Sequence, residues 1–297
     1  MRYRLLALSL VLLAACLGGC GAKQAAPNPA QSLAPPPAPA GPSGRVVLYS
    51  PHGKEHVGPC LERFHAAHPE ITVDYLDLPS GKILERLRAE SAKPQADLWW
   101  GAPQTMFMEG AKRDLLAPYK PTWAAAIAPE NHDTADLWYG TYLTPEVIMY
   151  NDRQLKAEDA PQDWDDLLDP KWQGKIVLRD PLPSGTMRAI FGALVWRDFV
   201  RDGKPDAGYD WLRRLESQKP VYAATPALMF QHLTNGETPV TVWNMPDVFI
   251  QRATNGYPFA MVMPKSGTPV LVEGLALVKG GPNAEAAKVF YEWITSA

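Results

Sequence analysis

Three times between Arg45 and Gln104 the chain passes through a short β-rich run, a small-residue turn and an amphipathic helical stretch. Arg45-Val-Val-Leu-Tyr49 ends at Ser50-Pro-His-Gly53, and the stretch after it puts Val57, Cys60, Leu61 and Phe64 on one face before closing at His68-Pro69. Ile71 to Leu78 reads as a strand through Ile71, Val73, Tyr75 and Leu76, and Pro79-Ser-Gly81 then opens a helix with Ile83, Leu84 and Leu87 on its apolar side. Ala96-Asp-Leu-Trp-Trp100 is a third strand, followed by a Gly101-Ala-Pro103 loop and a helix from Gln104. Strand–loop–helix units in succession predict a parallel sheet with right-handed crossovers.

Trp138 to Asn151 is a long β-type stretch with no helix behind it, which suits a strand crossing from one lobe to another. A second series follows: a short helix at Trp164–Leu168, a strand at Lys175–Leu178, helices at Gly185–Arg201 and Tyr209–Leu215, and a strand at Val240–Trp243. Phe259–Val262 and Val270–Val278 read as paired strands returning to the first lobe, and Asn283–Thr295 as a helix with Ala287, Phe290, Tyr291 and Ile294 inward. No Gly or Pro terminator follows that helix before Ala297, so the sequence is expected to continue.

The first twenty residues carry an export signal: basic Arg2 and Arg4, then an apolar run from Leu5 to Ala15, shorter than the ~20 residues of a spanning helix. Leu13-Ala-Ala-Cys16 and Leu17-Gly-Gly-Cys20 both resemble the bacterial lipobox, whose cysteine is acylated; Cys20, with a polar stretch behind it, is preferred over Cys16. Residues 21–44 are dominated by Ala and Pro, a composition that does not fold and that proline keeps extended. At about 3.1 Å per residue the segment reaches on the order of 70 Å, enough to tether a domain to a membrane.

The remaining ~250 residues suffice for one large domain or two smaller ones. A formal charge of −3 with no basic stripe argues against nucleic acid as a partner. Cys60 has no evident disulfide mate and reads as a core residue. No nucleophile elbow and no P-loop is visible; no cofactor and no enzymatic activity are expected, although a surface enzyme or an adhesin would also suit an anchored, tethered domain.

Val46-Val-Leu-Tyr-Ser-Pro-His52, Phe64-His-Ala-Ala-His-Pro69, Ala96-Asp-Leu-Trp-Trp-Gly101, Tyr150-Asn151, Trp164-Asp-Asp-Leu167, Trp172-Gln-Gly-Lys175, Asp180-Pro181, Ser184-Gly-Thr186 and Glu273-Gly-Leu-Ala-Leu-Val-Lys279 follow in an order that resembles the bacterial extracellular solute-binding proteins related to ferric-iron-binding proteins. That group also includes binders of phosphorylated sugars and of 2-aminoethylphosphonate. The resemblance runs from about Arg45 to Ala297. It implies an α/β, two-lobed periplasmic-binding-protein-like fold of type II, each lobe a mixed sheet flanked by helices, the lobes joined by crossing strands and closing as a hinge. Residues 45–143 with 263–297 would form lobe 1 and residues 144–262 lobe 2. It further implies a monomer that hands a small solute to the permease of an ABC importer outside the cytoplasm.

In open α/β sheets ligands sit beyond the carboxyl ends of strands, at helix N-termini that offer free N–H groups and partial positive charge. The loops in question hold Ser50, His52, Ser80, Gly81 and Gly101 in the first lobe and Ser184, Gly185, Thr186, Trp243, Asn244 and Asp247 in the second. Ser184-Gly-Thr186 is the most informative, since a glycine flanked by hydroxyls at a helix start suits a phosphate, phosphonate or carboxylate; the alternative is that Ser184 or Thr186 only caps its own helix. Ser80-Gly81-Lys82 presents the same pair of readings. Trp243 and Asn244 either pack against and bond the solute or are plain core and cap.

His52-Gly-Lys-Glu-His56 spells H-x-x-E-H, but Pro51 and Gly53 place His52 in a loop, so a hydrolytic zinc site is not expected. The iron-binding relatives use adjacent tyrosines; the corresponding segment here is Thr241-Val-Trp-Asn-Met-Pro-Asp247, and the chain has no Tyr-Tyr pair. His52 and Asp247 alone would make a poor ferric site, so the expected ligand is an organic anion, with Fe³⁺ as the alternative.

Overall fold

The computed structural model describes residues 42–295, so the export signal, Cys16, Cys20 and most of the proline-rich segment lie outside the described residues. In chain order the first elements are β1 (Gly44–Ser50), α1 (Lys54–Ala67), β2 (Ile71–Asp77), α2 (Ser80–Ala89), β3 (Leu98–Pro103), α3 (Gln104–Lys112) and the two-residue β4 (Leu116–Ala117). β1 runs parallel to both β2 and β3, which is the parallel βαβ arrangement that the three repeated units call for. Two boundaries move. Gly44, grouped with the tether on composition, already pairs with Ile71, and Gly101-Ala-Pro103, read as a loop, is the last part of β3.

Strand alternation gives this sheet two apolar faces. Val46 and Leu48 point to one, with Val57, Cys60 and Phe64 of α1 packed on them, and Tyr49 to the other, with Ile83, Leu84 and Leu87 of α2 and Met106 and Phe107 of α3. Each fully buried Leu, Ile or Phe contributes about 1.5–3 kcal/mol. The thiol of Cys60 sits in the first of these clusters as an ordinary apolar group.

β5 (Tyr139–Asn151) is the long crossing strand. Its first half, Tyr139 to Pro145, pairs with β10, and its second half, Glu146 to Asn151, pairs with β8 and β9. The elements in between are β6 (Val177–Arg179), α4 (Gly185–Asp202), α5 (Asp206–Ser217), β7 (Val221–Ala223), α6 (Pro226–Asn235), β8 (Val240–Asn244), α7 (Met245–Asn255), β9 (Phe259–Val262), β10 (Val270–Val278) and α8 (Ala284–Trp293). A single apolar cluster, built from Val147 to Phe259, fills this part, with Trp164, Leu178, Ile190, Trp211, Met229 and Phe259 in it. The large sheet therefore has the order β2-β1-β3-β10-β5-β8, and β6 and β7 form a separate parallel pair. This is the two-lobed α/β fold with crossing strands.

One pairing differs from the sequence reading. β9 and β10 do not pair with each other: β9 lies on the second half of β5, while β10 pairs with β3, β4 and the first half of β5. Their similar apolar runs made them look like a hairpin, but β10 lies inside the sheet between β3 and β5, while β9 pairs with the far half of β5. α8 brings Ala287, Phe290 and Tyr291 onto the α1 face of the first sheet, with Ile294 only half-buried. No helix among the described residues is long and apolar enough to cross a membrane.

Candidate functional site

A cavity of about 640 Å³ opens between the two lobes. Strand ends and helix starts line it on both sides, because β-strands of a parallel sheet all finish at the same edge.

The first wall is built on β1 and β3. β1 delivers Ser50 to the sheet edge, where its hydroxyl is fully buried and accepts the His52 N–H at 3.3 Å; Ser50 itself does not line the cavity. His52 does line it, and it is held on every side. Its carbonyl accepts from the Tyr75 hydroxyl, its Nε2 is paired with the Tyr142 hydroxyl, and its ring stacks on His56 at 4.5 Å. Desolvation pushes the His52 imidazole down to about 3, with the neighbouring His56 adding to the effect, and burial lowers His56 as well. Both rings are neutral at neutral pH. Gly101, at φ +87°, is a necessity here: a Cβ would collide with the His52 ring.

α2 starts beside them. Pro79 occupies its N-cap position and no side chain caps the helix, so Ser80 is a helical residue and not a cap. Ser80 is buried against the cavity, whereas Lys82 is exposed and Gly81 does not line the cavity. The Gly81 amide, expected to be free for a ligand, donates instead to the Pro183 carbonyl of the opposite wall at 3.3 Å.

The second wall starts three helices at the cavity. Ser184 caps α4, accepting the Met187 N–H at 3.2 Å; Thr225 caps α6, accepting from Leu228 at 3.2 Å; and Asn244 caps α7, accepting from Asp247 at 3.0 Å. The self-capping alternative thus describes Ser184. Thr186, in the first turn of α4, faces the cavity with its hydroxyl free of any hydrogen bond to the described residues. Gly185 packs so closely on the first wall that a Cβ would lie 3.1 Å from Ser80 and 3.3 Å from Met106. The Trp243 indole N–H and the Asn244 amide both donate to Asp247 Oδ2, at 2.6 and 3.1 Å. Burial nevertheless raises the Asp247 carboxyl, against the pull of those two donors and with help from Glu55 across the cleft.

Sequence reasoning missed Arg179. It ends β6, is 2% exposed, and lines the cavity. Its Nη1 donates to the Ala223 carbonyl at 3.0 Å, and no carboxylate of the described residues forms an ion pair with it. Burial lowers its pKa, and only the nearby Asp180 opposes that. A desolvated guanidinium without a counterion is costly unless something anionic arrives. Thr225 and Pro226 were also missed, although a Thr-Pro pair before an apolar stretch is a helix-start signature.

His52, Ser80, Gly101, Ser184, Gly185, Thr186, Trp243, Asn244 and Asp247 are therefore brought to one cavity, and Ser50 and Gly81 are not. Among the described residues no group of three or more His, Cys, Asp or Glu is arranged to hold a metal ion.

A family profile described as bacterial extracellular solute-binding protein matches residues 60–297. The chain is 30% identical over 254 residues to a probable ABC transporter periplasmic-binding protein of Sinorhizobium fredii, which covers 85% of this chain and 70% of that relative. It is 25% identical over 247 residues to iron uptake protein A1 of Synechocystis, covering 77% of this chain and 65% of that one. Among solved structures it is similar to the periplasmic binding protein AfuA from Actinobacillus pleuropneumoniae with exogenous fructose-6-phosphate bound, at a TM-score of 0.74, 25% identity and coverage of 84% and 79%. Its fold, its interlobe cavity and these matches agree: the chain belongs to the family of bacterial extracellular solute-binding proteins.

Proposed function

We propose that this protein captures a small organic oxyanion, a phosphate ester or a phosphonate, in the interlobe cavity and hands it to the permease of an ABC importer. The observation that carries the reading is Arg179, a buried guanidinium with no carboxylate partner among the described residues, on a cavity where α4, α6 and α7 all begin. Each helix start adds about half a positive charge and unpaired N–H groups, and Thr186 adds an unengaged hydroxyl. Asp247 supplies an acceptor for a hydroxyl or amine elsewhere on the same solute. The cavity's size falls within the roughly 300–1,000 Å³ of small-molecule sites.

Residues 45–143 with 263–297 and residues 144–262 act as the two closing halves in this reading, and the separate apolar cluster from Val147 to Phe259 supports it. The chain is anchored through an acylated Cys20, or Cys16, and works as a monomer at the end of its proline-rich tether. A thermal-unfolding screen tests the ligand class. A phosphate ester or phosphonate at a hundredfold excess over Kd stabilises the protein by about 2.7 kcal/mol; a shift with Fe³⁺ and with no oxyanion would overturn the reading in favour of iron transport.

A further inference from the structure

Where the two lobes join, two carboxyl groups are buried without the partners that an ionised carboxylate needs. Glu146 stands at the midpoint of β5, where its pairing changes from β10 to β8 and β9. Its backbone is tied to the other connection between the lobes: its N–H donates to Pro269 at 3.0 Å, and its carbonyl accepts from the Thr268 hydroxyl. That connection is in turn fastened to the second lobe, with the Trp164 indole donating to Gly267 at 2.8 Å. The Glu146 side chain is fully buried, and neither of its oxygens has a hydrogen-bond partner among the described residues. Glu273 lies on β10 opposite Tyr142, 3% exposed; one oxygen accepts from Thr144 at 3.0 Å and the other has no partner among the described residues.

The groups facing this pair are themselves acidic or neutral. Asp247 at the start of α7 acts on both, and Glu55 of α1 acts on Asp247 from across the cleft. Tyr142 feels the charge of Glu273, and Cys60, His52 and His56 are in turn neutral neighbours of Tyr142. Among the described residues no lysine or arginine acts on these carboxyls. An unpartnered carboxylate in such a place is far more costly than a protonated carboxyl. Burial accordingly holds Glu146 well above the usual carboxylate range and pushes Glu273 up to about 8.

We propose that Glu146 and Glu273 form a proton-operated lock in the hinge: with both carboxyls protonated the crossing strands hold the lobes closed, and loss of a proton opens the cleft by driving the charge toward water. Solute release thereby acquires a dependence on pH that is separate from the chemistry of the solute. The lock does not rest on which ligand the cavity takes.

The Gly81 amide, bonded to Pro183 across the cleft, reports closure directly. Hydrogen exchange of the full chain, with the intrinsic pH dependence of exchange divided out, is expected to show Gly81 protection falling on the order of tenfold per pH unit between about pH 5 and 7.5, the slope of one released proton, and levelling off above about pH 8. In the Glu146→Gln, Glu273→Gln double variant the protection is expected to stay constant with pH. Protection that does not change with pH in the wild type, or that falls equally in the double variant, overturns the lock. Infrared spectroscopy of the wild type provides a second arm that needs no variant: a protonated-carboxyl band present at pH 6.5 and lost by pH 9.5 supports the proposal. Absence of that band, or its loss with no change at Gly81, overturns it.

Discussion

The Gly81 amide donates to the Pro183 carbonyl at 3.3 Å, and the two residues belong to opposite walls of the cleft. Glycine at 81 is what permits the approach, since a Cβ there would lie 3.0 Å from the Arg188 guanidinium and 3.2 Å from the Pro183 carbonyl. Gly185 meets Ser80 in the same way on the adjoining contact. The two glycine-hydroxyl turns thus close the cleft by touching, and the solute space lies behind them.

Replacing Gly185 with Val should prop this contact open. Overpacking costs about 1–3 kcal/mol, and opening the hinge relieves it, so affinity for the best phosphate ester of the screen should fall roughly 5- to 150-fold. The denaturant midpoint should move little. Calorimetric titration beside urea unfolding separates the two effects; a variant that binds like the wild type would show that the contact is not part of closure.

Arg179→Leu removes the buried cation. Charge-assisted hydrogen bonds contribute about 1.5–3 kcal/mol, so oxyanion affinity should drop about 10- to 150-fold. The ligand-free protein should be as stable as the wild type or more so, because a desolvated charge has been taken out. A large loss of stability with unchanged affinity would identify Arg179 as a structural residue that serves β6 through Ala223.

Gly101→Ala should destabilise the fold. The left-handed backbone costs about 1–3 kcal/mol for a residue with a Cβ, and displacing the packed His52 ring costs about as much again. Urea midpoints of wild type and variant measure the sum; a change below ~0.5 kcal/mol would mean that the His52 corner yields freely.

Acid should weaken the protein through His52. Its folded value of about 3 lies below the unfolded 6.5, so the unfolded chain takes the proton first. Stability is then lost as pH falls from 6.5 toward 3, by up to about 1.4 kcal/mol per pH unit. Glu273 acts in the opposite sense: raised to about 8, it contributes stability that is present below 4.5 and lost as pH rises to 8. Comparing wild type with His52→Gln by chemical unfolding at pH 4, 5 and 7 isolates the histidine; parallel pH curves would contradict its assignment as a buried neutral ring.

The parallel βαβ core was legible because Val57, Cys60 and Phe64, or Ile83, Leu84 and Leu87, recur at helical spacing after short β-rich runs. The crossing strand was legible from the long β-type stretch Trp138–Asn151, of which the strand takes Tyr139–Asn151. The separation of β9 from β10 was not, since short apolar runs carry no record of which strand they will pair with. Nine of the eleven proposed site residues reach the cavity because strand ends and helix starts share one sheet edge. Arg179 escaped notice because an arginine after Val-Leu reads as the solvated end of a strand; its burial depends on β7 and α6, neither of which was identified from the sequence. The engagement of Gly81 by Pro183 depends on lobe closure, which no local pattern encodes.

Native mass spectrometry of the full chain, incubated with phosphate esters, phosphonates and Fe³⁺ in turn, puts the central claim to its most direct test. The account predicts one organic oxyanion bound per chain, with an affinity about 10- to 150-fold weaker in Arg179→Leu and unchanged in an Arg113→Leu control at an exposed ion pair at the end of α3. Uptake of Fe³⁺ with no oxyanion bound, or oxyanion binding as tight without Arg179 as with it, would contradict it.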